Sequence, residues 1–101
     1  MAVNFFTKQP TEEYDIGVDY EDRLASGRSL SSAVVTAYDL VAEADATSTV
    51  LDDGTGAISG TTASEGVKAG TAGHTYRITF KATLDNADIL EEDVVMTVLD
   101  Y

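Results

Sequence analysis

The sequence has no cysteine and no tryptophan, one proline, one histidine, and six lysines and arginines among 101 residues. Each shortage removes a class of explanation. Without cysteine there is no disulfide framework and no thiolate metal centre. A lone histidine supplies too few nitrogen ligands for a zinc site. No apolar run approaches the roughly 20 residues of a membrane helix. The first residues, MAVNFFTKQP, lack a basic region ahead of a long apolar core, so no secretory signal is expected. Against few bases stand 18 acids, for a formal net charge of −12. That balance opposes nucleic acid, whose phosphates need a basic footprint, and anionic membrane surfaces. It serves solubility, or it forms an acidic face that meets a basic partner.

Apolar residues make up 44% of the chain, a globular composition. The length matches a single domain spanning residues 1–101. Its apolar residues recur with a period of two, the mark of strands. In HTYRITFKATL, Tyr76, Ile78, Phe80, Ala82 and Leu84 share one face, and Thr75, Arg77, Thr79, Lys81 and Thr83 the other. In LEEDVVMTV, Leu90, Val94, Met96 and Val98 share a face. The four residues DNAD join these runs into a long C-terminal hairpin. YDIGVDY sets Tyr14, Ile16, Val18 and Tyr20 together. SAVVTAYDLV reads as another strand, with shorter ones near Thr49 to Leu51, at Ala57–Ile58 and near Val67. EDRLASGRSLSS is turn-rich, with room for one helical turn. About seven short strands separated by turns predict an all-β, immunoglobulin-like antiparallel β-sandwich.

The motifs that could carry chemistry fall short of it. GTAGH, before the Tyr76 strand, has no P-loop lysine and opens no helix. Its glycines serve a turn, and His74 is expected to be the exposed first residue of the strand. No G-x-S-x-G marks a serine nucleophile. EEYDIGVDYED packs six carboxylates into eleven residues, which raises calcium. Asp15 and Asp19, however, lie roughly 13 Å apart along an extended strand and cannot share an ion without a bulge. DDGTG lacks the alternating ligands and distal glutamate of an EF-hand loop. A carboxylate pair for glycoside hydrolysis needs a cleft that holds the two groups roughly 5 to 9.5 Å apart, and sugar-binding clefts usually add stacked aromatics, whereas the tyrosines here fall mostly on core-facing positions. The expectation is therefore no enzyme, no cofactor, no catalytic residue and no metal ligand.

Two halves of the chain carry a resemblance. FTKQPTEEYDIGVDYEDRLASGRSLSSAVV presents Lys8 and Pro10, then Tyr14 and Asp15, Asp19 and Tyr20, and finally Leu24, Gly27, Leu30 and Ser31. The second half presents the Gly70 to Gly73 turn, Thr75 and Tyr76, an alternating strand, a hairpin and a last strand to Val98. In this order the motifs resemble a family of small virion structural proteins of tailed bacteriophages, the fiber-tail adaptors. The chain departs from that pattern at Asp19-Tyr20, where the family often has Asp-Trp, and at Asn86 and Ala87, where its hairpin often has glycine. The resemblance implies an immunoglobulin-like sandwich without catalysis.

On this reading the protein bridges the tail or neck and the fibers of a virion, is assembled in the bacterial host cytoplasm, and forms a homo-oligomeric ring or array. Its partners are other virion proteins. Capsid decoration, or a host-surface module binding carbohydrate or calcium, are the alternatives. A short N-terminal arm, about residues 1–10, is the candidate contact. Phe5 and Phe6 are adjacent, so a strand points them to opposite faces and one needs cover from a neighbour. Phe5, Phe6, Lys8 and Pro10 are the candidate partner-contact residues.

Overall fold

The computed structural model describes residues 4–100. In chain order the strands are β1 (Asn4–Lys8), β2 (Tyr14–Asp19), β3 (Leu30–Asp39), β4 (Ala44–Asp45), β5 (Thr55–Ser59), β6 (Thr62–Val67), β7 (Thr75–Leu84) and β8 (Ile89–Val98). One turn of 3-10 helix, Glu21–Arg23, follows β2, and a single α-helical turn, α1 (Thr47–Val50), precedes β5. The fold is all-β and of the sandwich class. Its two layers are joined: the hydrogen-bonded order β1-β8-β7-β3-β5-β6-β2 is unbroken, and the sheet curls into a half-barrel.

The period-2 segments became the long strands. β7 buries Tyr76, Ile78, Phe80, Ala82 and Leu84, and pairs antiparallel with β8 over nine registered positions. β8 adds Val94, Met96 and Val98, and β3 adds Ala33, Val35 and Ala37. The covering layer supplies Val18, Tyr20, Ala63 and Val67, with Val50 and Leu51 closing one end. The layers meet where Ala33 pairs with Gly56. A Cβ on Gly56 would lie 2.8 Å from the Ala33 Cβ, so this contact requires the missing side chain.

Two expectations are corrected. Thr49 to Leu51 is no strand: residues 47–50 form α1, and Leu51 contributes one isolated bridge to Val67. Thr47 and Asp45 explain the turn. The Thr47 hydroxyl meets the Ala37 amide at 3.0 Å and the Asp45 carboxylate at 2.9 Å, which draws the chain back on β3. His74 is half-buried, and its Nδ1 lies 2.7 Å from Asp39 Oδ2, a contact between segments 35 residues apart that a local pattern does not show. The preceding loop is a turn, as expected. The amide of Thr71 donates to the Tyr76 hydroxyl at 2.8 Å, and Gly73 donates to the Val98 carbonyl at 2.7 Å.

Candidate interaction surfaces

β1 and β2 are the terminal strands of the curled sheet. β1 runs parallel to β8, with Phe6 beside Met96 and Lys8 beside Val98. β2 runs antiparallel to β6. A link of residues 9–13 joins them, so the two ends of the sheet come together beside one another.

The four candidate contact residues separate on this frame. Phe5 is 76% exposed, the most exposed large apolar residue described. Phe6 packs against the core, with its ring 6.2 Å from that of Tyr14. Pro10 is half-buried in the link. Lys8 is buried, and its ammonium donates to the carbonyls of Ala69 at 2.6 Å, Gln9 at 2.7 Å and Pro10 at 3.3 Å. Burial lowers the Lys8 pKa, while Glu12 and Glu13 act against that shift. Lys8 thus ties β1, the link and the loop before β7 together. Residues 1–3 of the expected arm lie outside the described residues.

The acidic residues form two distinct arrangements. On one side of the covering layer a recess of about 190 Å³ is lined by Asp15, Asp52, Asp53 and Glu65. Glu65 is buried, and its Oε2 accepts from the amides of Asp53 at 3.0 Å and Gly54 at 3.2 Å. Burial raises the Glu65 pKa, and the neighbouring Asp53 carboxyl adds to the rise. Among the described residues, no three histidine or acid side chains are arranged to hold a metal ion.

Elsewhere the acids serve as local ties. Asp39 accepts from Val41 N at 2.9 Å and Ala42 N at 3.0 Å, besides meeting His74. Burial acts to raise the Asp39 pKa, but these contacts outweigh it and the net shift is downward. Arg23 reaches across to Glu92 at 2.6 Å and to the Glu91 carbonyl at 2.9 Å. The Tyr20 hydroxyl donates to the Phe80 carbonyl at 2.9 Å inside the core. Sequence reasoning missed the Glu65 recess, because Glu65 sits in the weak strand pattern TASEGV and its partners come from another segment.

These features are structural contacts and surfaces. The family model described as podophage GP4 fiber-tail adaptor protein gp77 matches residues 8–97. The chain belongs to this family. The match includes Lys8, both layers and the hairpin, and supports the resemblance carried by the Lys8 to Ser31 and Gly70 to Val98 motifs. The adaptor is thus a structural protein of tailed phages. Neither the curated proteins nor the solved structures offer a match to the chain.

Proposed function

We propose that this adaptor is a non-enzymatic virion component that joins the tail or neck of the particle to its fibers through protein–protein contacts. The observation that carries this reading is the family match over residues 8–97. The protein works as a homo-oligomeric ring, assembled in the host cytoplasm, in which each copy presents its N-terminal edge to a neighbouring virion protein. Phe5 supports that edge as the contact, because a largely exposed phenylalanine leaves apolar area that a partner can cover.

Phe5→Asp tests it. Surface substitutions away from buried features change stability by about 0.5 kcal/mol or less, so the variant is expected to fold normally. It is also expected to be depleted from purified particles in a complementation assay. Normal incorporation of a folded Phe5→Asp protein would remove this edge from the contact. Density for the adaptor at the tail–fiber junction in particle reconstructions is the expected result. A copy number matching the capsid lattice, with no copy at the tail, would favour capsid decoration instead.

A further inference from the structure

The pairing pattern decides which backbone groups of β1 and β2 face the space between them. Leu99 N donates to Lys8 O on the β8 side. Neighbouring residues of a strand direct their peptide groups to opposite sides, so Phe5 and Thr7 direct theirs away from β8. In keeping with this, the Thr7 carbonyl accepts the Tyr14 hydroxyl from β2 at 3.4 Å. On β2, the bond from Tyr20 N to Thr61 O sets the phase. With Val18 opposite Ala63 and Ile16 opposite Glu65, Asp15 and Gly17 turn their N–H and C=O groups away from β6. Neither edge is paired with a further strand among the described residues.

Between the two edges opens an apolar groove of about 410 Å³, lined by Phe5, Phe6, Tyr14, Ile16, Gly17 and Val94. Its floor continues into the core through Phe6 and Ile16. The flank along β2 carries charge of one sign. Residues 9–22 hold six carboxylates and no lysine, arginine or histidine. Glu12, Glu13, Asp15 and Asp19 are exposed.

We propose that this seam accepts one extended segment of a partner protein, with alternating apolar and basic side chains, as an added strand between β1 and β2. Strand addition satisfies edge peptide groups, and alternate side chains supply specificity. Here the apolar set fills the groove over Ile16 and Val94, and the basic set lies outside against Glu13 and Asp15. A second copy of this chain is a poor occupant of this seam, because it would bring a further acidic edge against Glu13 and Asp15. The proposal deepens the adaptor reading and rests on it for the source of the segment.

The experiment uses the full chain and a synthetic Lys-Val-Lys-Val-Lys-Val-Lys peptide, with amide hydrogen exchange followed residue by residue. The expected result is exchange slowed about tenfold or more at Phe5, Thr7, Asp15 and Gly17, as new hydrogen bonds form there. A glutamate–valine counterpart is expected to give no protection. A lysine–valine peptide methylated on its backbone nitrogens keeps the charge, loses its donors and sets methyl groups where the edges must approach, so it is also expected to give none. Binding of the lysine–valine peptide is expected to weaken about tenfold in Glu13→Lys, since a like charge then meets its basic side chains. Unchanged exchange at the four amides overturns the proposal. So does equal protection by the methylated or the acidic peptide. Any of these would leave the adaptor reading standing, since particle incorporation tests that separately.

Discussion

Replacing Tyr20 with phenylalanine probes how the covering layer is held to β7. Tyr20 is fully buried, and its hydroxyl donates to the Phe80 carbonyl at 2.9 Å. The ring stays in Tyr20→Phe, so no large cavity forms and only the hydrogen bond is lost. A net loss of about 1 kcal/mol is expected at pH 7. In a domain of this size that corresponds to a fall in Tm of about 4–8 °C. The pH dependence supplies a second, independent reading. Burial first, and then the Glu92 carboxylate, push the Tyr20 pKa from 10.0 up to about 12. The folded state therefore holds the phenolic proton where the unfolded chain has lost it. A pKa raised on folding gives stability that is complete below pH 10 and is lost as pH rises towards 12. Near pH 11 the wild-type protein has given up about 1.4 kcal/mol from this group, while Tyr20→Phe has given up none of it. Urea unfolding of both proteins at pH 7 and pH 11 is the assay, and the difference between them cancels the other tyrosines. The wild-type advantage at pH 7 is expected to vanish or reverse at pH 11. A variant as stable as wild type at pH 7, with a gap that stays constant to pH 11, would refute both the buried bond and the raised pKa.

Other expectations concern single positions. Glu65→Gln keeps an acceptor for Asp53 N and Gly54 N and removes a charge whose pKa is raised, so it should stabilise the protein at pH 7. That gain should shrink as pH falls towards the ordinary glutamate range, where wild-type Glu65 is protonated, and urea titrations at several pH values check it. Ala87 adopts a left-handed φ of 73° in the β7–β8 turn, a conformation that costs an L-residue about 1–2 kcal/mol. Ala87→Gly should raise stability by about 0.5–1 kcal/mol in thermal melts, after the greater chain entropy of glycine is discounted. Asp39→Asn should lower stability at pH 7 and flatten the acid limb of the stability curve. The lowered Asp39 pKa gives stability present above pH 3.8 and lost as pH falls through the folded value.

The long strands were readable because each carries its own evidence. Tyr76 to Leu84 alternate without a break, and the structure buries every second one of them. The hairpin was readable for the same reason, since DNAD interrupts two such runs. α1 was not, because TSTV is polar, β-branched and short, and its turn depends on Thr47 reaching Ala37 in β3. The candidate contact was half readable. Adjacent phenylalanines must point to opposite faces of a strand, and the structure exposes Phe5 and packs Phe6. The fate of Lys8 was hidden, because the carbonyl of Ala69 that receives its ammonium is 61 residues away.

An all-β chain, a long hairpin, an acidic composition and a family could all be read along the chain, because alternation, turn residues, charge and motif order are local or compositional properties. Long-range pairing makes the two layers one curled sheet joined at Gly56 and sets His74 against Asp39. The same pairing brings β1 and β2 side by side with an apolar groove between them. Each of those depends on which distant strand a given edge meets. Pairing of that kind is set by the closure of the whole sheet, which no short stretch of sequence records.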